Sequence, residues 1–120
     1  MIKMVTLLTR RPDISREEFQ QRYENGHRLI GEKYLRGYAE RYVRRYCRPA
    51  TGAPKAGELP CDVVLEIWFP DQATFDAAMV ALSEPEAAAE IAADEARLFD
   101  RDKIVSFMVD EFESSIKEKS

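Results

Sequence analysis

Soft metal ligands are scarce in this 120-residue chain, which has two cysteines and one histidine. Cys47 and Cys61 lack C-x-x-C spacing, and with His27 they are too few for a closed zinc site. No metal and no other cofactor is therefore expected. Long apolar runs are also missing: nothing approaches the roughly 20 residues needed to span a bilayer, and no basic start leads into a signal-peptide core. The expectation is a cytoplasmic protein with no membrane partner and reduced thiols. An excess of positive charge is absent too. The net charge is −4 and the pI about 5.1, whereas phosphate binding needs clustered, uncompensated Lys and Arg. The one local exception is Arg36 to Arg48, RGYAERYVRRYCR, whose arginines alternate with three tyrosines. Such a segment can stack bases, but a strand whose arginines lie over rings or pair with carboxylates explains it as well. No nucleic acid partner is expected. Also lacking are a nucleophile elbow, a phosphate-cradling glycine loop and a dinucleotide fingerprint, which disfavours covalent and nucleotide-dependent chemistry.

What is present is ordinary globular composition, 45% hydrophobic and 33% charged, in a length that suits one core. Residues 1–113 read as one domain and residues 114–120 as a charged tail. Ile2 to Thr9, rich in branched apolar residues, predicts a first strand. Ser15 and Glu18 form an S-x-x-E capping box with Ile14 as its staple, so a helix starts there. Phe19, Tyr23, His27 and Ile30 recur at helical spacing on one face. Gly26 and Gly31 weaken the later turns, predicting a kink or an end before Gly37.

Tyr38 to Arg48 predicts a second strand, with Tyr38, Tyr42 and Tyr46 on one face and Ala39, Arg41, Val43, Arg45 and Cys47 on the other. Pro49 to Pro60, with three prolines and two glycines, predicts an exposed loop open to proteolysis. Cys61 to Phe69 predicts the third strand, with Asp62, Val64, Glu66 and Trp68 on one face and Val63, Leu65, Ile67 and Phe69 on the other. Asp71 caps a helix containing Phe75, Met79 and Leu82, and Ser83 to Pro85 starts another. A fourth strand runs from about Arg101 or Asp102 to Phe112.

The order βαββαβ, with a helix pair in the second half, describes an α+β fold of ferredoxin-like type: two split βαβ units, one four-stranded antiparallel sheet, helices on one face. The other face needs cover. With alternate residues such as Val63, Leu65 and Ile67 otherwise bare, a second copy packed sheet to sheet is the economical solution, giving a homodimer.

Four ordered segments resemble the EthD domain family. IKMVTLLTRRPDISREEFQQRYENGH is similar to that family's first strand, R-x-P connection and helix with an aromatic residue four before a histidine. YVRRY is similar to its second strand, ELPCDVVLEIWFPDQATFDAAMVALSEP to its E-[LI]-W-F segment, and ADEARLFDRDKIVSFMVDE to its passage into the last strand. The resemblance implies a dimeric α/β barrel made from two ferredoxin-like sheets. It also implies association with catabolic or polyketide pathways and an oxidoreductase label drawn from ether degradation. Related barrels include cofactor-free monooxygenases, lactone isomerases and dehydratases, so the fold does not fix the reaction. Two departures stand out: His27-Arg28-Leu29 replaces the common His-Gly-Pro, and Tyr46 stands where the second strand often carries histidine. A mechanism needing two imidazoles would fail here.

Histidine is the side chain that ordinarily titrates near neutrality, at about 6.5, so His27 is the candidate general acid/base, with a buried structural histidine as the plain reading. Tyr42 is the second candidate catalytic residue. Tyr23, Tyr46, Trp68, Glu66, Asp94 and Phe99 are candidate walls or anchors for a small apolar or aromatic ligand, each with a core or ion-pair role as its bland counterpart. Asp94 and Glu95 are placed to orient His27 or to pair with Arg97 or Arg101. The first functional hypothesis is a cofactor-independent enzyme, either an isomerase or dehydratase or a monooxygenase-like oxidoreductase. The second is a dimeric ligand-binding or accessory protein that catalyses nothing. A cavity lined by His27 and Tyr42 favours the first, and a filled interior the second.

Overall fold

Four antiparallel strands lie in the order β2-β3-β1-β4. In chain order the elements are β1 (Ile2–Leu8), α1 (Arg16–Arg22), α2 (Arg28–Leu35), β2 (Arg41–Tyr46), β3 (Val63–Phe69), α3 (Gln72–Leu82), α4 (Pro85–Leu98) and β4 (Val105–Met108). This computed structural model describes residues 1–51 and 59–117, and among them no helix is long and apolar enough to cross a membrane. Most of the expected Pro49 to Pro60 loop, residues 52–58, lies outside the described residues.

The helix starts follow local chemistry. The Ser15 side chain accepts the Glu18 amide at 3.1 Å, and Asp71 accepts the Thr74 amide at 2.7 Å, each satisfying a donor that the first helical turn leaves unpaired. Ile14 and Phe19 are both buried in one cluster, so the staple closes as expected. Pro85 opens α4, where its missing amide does no harm. β2 is shorter than predicted because Gly37, at φ +91°, turns the chain before Tyr38. β4 is also shorter than predicted, covering only Val105–Met108.

Register decides the faces. β1 pairs with β3 so that Leu8 opposes Val63 and Ile2 opposes Phe69; β2 pairs with β3 so that Tyr46 opposes Val63. All four helices cover the face carrying Leu8, Val63, Leu65, Ile67 and Phe69, where two buried clusters form. This corrects one expectation: Val63, Leu65 and Ile67 are not the bare residues, because the helix layer already lies over them. By strand alternation the uncovered face carries Lys3, Val5, Leu7, Val43, Val64, Glu66, Trp68, Val105 and Phe107. Val5 is buried between its cross-strand partners Glu66 and Phe107, while Val105 and Phe107 remain 51% and 42% exposed.

Candidate active site

The site begins where the first long helix departs from α geometry. After α1 the chain makes one turn of π-helix, Tyr23–His27, before α2 resumes. The wider turn brings both aromatic side chains inward. Tyr23 is fully enclosed and His27 is buried, with ring centroids 5.2 Å apart and edge to face. Phe99 closes the corner, 5.7 Å from Tyr23 and 5.1 Å from His27. A backbone bridge to Arg10 anchors Phe99 beyond the end of β1.

The imidazole is held from behind. Its Nδ1 lies 2.8 Å from an Asp94 carboxylate oxygen on α4. A carboxylate can only accept, so Nδ1 carries the proton and Nε2 presents a lone pair on the opposite edge of the neutral ring. A second hydrogen bond joins the hydroxyls of Tyr23 and Tyr42, 3.2 Å apart. Among the described residues the buried Tyr23 hydroxyl has no other hydrogen-bond partner, so it donates to Tyr42, and the Tyr42 proton is left for another acceptor. Burial pushes the Tyr23 hydroxyl well above its ordinary pKa, and Tyr42 beside it adds to the shift. Tyr42 is also raised, chiefly by burial, although accepting from Tyr23 acts in the opposite direction. Gly31 of α2 makes room for this hydroxyl: an added Cβ would stand 2.6 Å from it.

These groups border a cavity of about 180 Å³ between sheet and helices. Its walls are mostly apolar, including Met4, Leu8, Leu65, Ile67, Ile91 and Phe99. A cavity of about 150 Å³ holds benzene, so this one suits a single ring. Polar groups reach it at a few points: His27, Tyr23 and Tyr42, the Thr6 and Ser106 hydroxyls 2.7 Å apart, and Glu95. Among the described residues, no three of His, Cys, Asp and Glu gather to hold a metal ion.

The structure therefore brings His27, Tyr42, Tyr23 and Phe99 to one cavity, with Asp94 behind the histidine. Tyr46 stands one step away: its hydroxyl donates to Glu24 at 2.6 Å, and Arg44 clamps the same carboxylate at 2.6 and 3.1 Å. That clamp holds the Glu24 pKa below its ordinary value, the Arg44 hydrogen bond being the main cause. Glu66 and Trp68 are not at the cavity. Strand alternation turns them to the opposite sheet face, where Lys3 and Arg41 flank the indole at 3.8 and 4.4 Å and Arg45 pairs with Glu66 at 3.1 Å. Gly31, Thr6 and Ser106 reach the cavity without having been expected there, and Glu95, named with Asp94 as an orienter of His27, lines the cavity while Asp94 alone pairs with the ring. For Glu95 a signal existed: it shares the stripe of Ala87, Ile91 and Leu98, so a carboxylate falls on the buried side of α4.

The EthD domain family profile matches residues 11–102. No curated protein matches the chain. An EthD family protein from Bacillus halodurans has a similar structure, with TM-score 0.65 and 13% identity over 93% of this chain and 100% of that one. A structure described as an antibiotic biosynthesis monooxygenase follows at TM-score 0.54 and 13% identity, over 94% and 100% of the two chains. A dimeric protein of unknown function with a ferredoxin-like fold, from Bacteroides fragilis, gives TM-score 0.55 and 15% identity over 90% and 91%. At such identities these structures establish the fold. The profile spans most of the sequence, and the chain belongs to the EthD domain family.

Proposed function

We propose that this protein is an enzyme that moves a proton on a small cyclic or aromatic substrate, with His27 as general acid/base and Tyr42 as hydrogen-bond donor. The observation that carries this is the His27–Asp94 pair at 2.8 Å with its imidazole facing an apolar cavity. A carboxylate behind Nδ1 fixes the tautomer and stabilises the imidazolium that forms when Nε2 accepts a proton. The free Tyr42 proton suits an oxygen on which negative charge develops. A carbon acid next to a carbonyl meets both demands: Nε2 takes the C–H proton, Tyr42 stabilises the enolate oxygen, and the imidazolium returns the proton to the substrate. Isomerisation and dehydration share this first step. The cavity beside His27 favours catalysis over a purely accessory role.

We also propose that the working unit is a homodimer joined through the bare sheet face, where Val105 and Phe107 lie exposed. The fold relative from Bacteroides fragilis is described as dimeric, which supports a dimer.

The test is a panel of ring ketones and lactones incubated with the protein in D2O and followed by NMR for isomerisation, loss of water or deuterium uptake beside the carbonyl. Conversion should fall about 10²-fold or more in His27→Gln, the loss expected for a general acid/base. Tyr42→Phe should lower turnover more than binding. Equal rates for wild type and a folded His27→Gln protein refute the assignment.

A further inference from the structure

Glu95 sits on the cavity side of α4, and its carboxylate makes no hydrogen bond or ion pair with any described residue. No lysine or arginine lines the same cavity. Arg44 lies 5.0 Å from the Tyr42 ring centre, and its guanidinium is already held by two hydrogen bonds to Glu24. The His27–Asp94 pair sums to zero when the imidazole is protonated and to −1 when it is neutral. With Glu95 counted as a carboxylate, the cavity carries a net negative charge in either state and no counter-ion among the described residues.

We infer that Glu95 sets the charge of the substrate: the site takes an uncharged ring bearing a carbonyl oxygen and rejects carboxylates and phosphates. This rests on the proposed function above and narrows its substrate class. A bound anion would face a like charge across a small, mostly apolar space, a repulsion of roughly tenfold in affinity. A bound cation would pair with Glu95 but leave the Tyr42 proton without the acceptor it calls for. A neutral carbonyl compound satisfies both conditions.

The experiment compares cyclohexanone with cyclohexanecarboxylate, one ring with and without charge, by NMR titration of the full chain at pH 7. Wild type should bind the ketone at least tenfold more tightly than the carboxylate. Glu95→Gln should hold ketone affinity within about twofold and remove the discrimination. Glu95→Asp, which keeps the charge, should retain it. Should the glutamine variant not fold, Glu95→Ala gives the same comparison. Equal binding of both rings by wild type, or discrimination that survives in Glu95→Gln, overturns the role of Glu95 and leaves that of His27 standing. Failure of both rings to bind the folded protein removes the cavity as a substrate site and overturns both.

Discussion

Replacing Gly31 by alanine separates helix propensity from site geometry. Within an α-helix the change is favourable by about 0.8–1.0 kcal/mol, and Gly31 lies inside α2. The new methyl would meet the Tyr42 hydroxyl at 2.6 Å and the ring at 2.8 Å, so the ring must retreat by about 0.8 Å to reach the 3.4 Å where ordinary contact begins. Tyr42 has little freedom to do so. It packs against both buried clusters and accepts from Tyr23 across 3.2 Å. Overpacking of this kind destabilises by about 1–3 kcal/mol, so the net effect of Gly31→Ala is a loss of roughly 1 kcal/mol, or about 3–6 °C in Tm for a chain of this length. Thermal melts of a double-mutant cycle with Tyr42→Leu provide the assay. Leucine removes the ring end that the methyl strikes, so in that background Gly31→Ala should stabilise by its helical gain. Stabilisation of wild type by the full helical gain would refute the claim that Gly31 positions Tyr42.

Two further outcomes are expected. Glu24 has a lowered folded-state pKa, so its contribution to stability is complete above the ordinary carboxylate range near pH 4.5 and disappears as pH falls through the lower folded value. Glu24→Gln should therefore cost roughly 1 kcal/mol at neutral pH, a discounted figure for a partly exposed pair, and flatten the acid limb of the stability curve; an unchanged acid limb refutes it. On the bare sheet face, Phe107→Lys should convert a light-scattering mass of twice the chain to that of one chain. A wild-type protein that is monomeric at micromolar concentration refutes the dimer.

Much of the architecture was legible because it rests on short-range chemistry. The caps at Ser15 and Asp71, the alternation of Val63 to Phe69 and the stripe of Phe19, Tyr23 and His27 need only neighbouring residues to interpret. The covered face of β3 was not legible, because both of its faces carry apolar residues and only the docked helices distinguish them. For the same reason Glu66 and Trp68 passed as site candidates. Glu95 was visible as a carboxylate beside Asp94, but helix periodicity alone does not say that its stripe borders an empty space rather than a packed core. The π-turn has no sequence signature beyond Gly26, whose Cβ position faces open space and so gives no steric reason for the departure.

The pairing of His27 with Asp94 joins residues 67 positions apart, one from each half of the repeated strand-helix-strand plan. Closing so long a chain segment carries an entropic penalty that is recovered only when α4 has docked beside the π-turn. Trp68, by contrast, lies between Lys3 and Arg41 on the sheet itself. The protein thus contains two reporters of its own assembly: indole fluorescence for formation of the central strands, and the proposed activity for arrival of the last helix. In a refolding experiment the second signal should lag the first, and no fragment ending before α4 should carry the site.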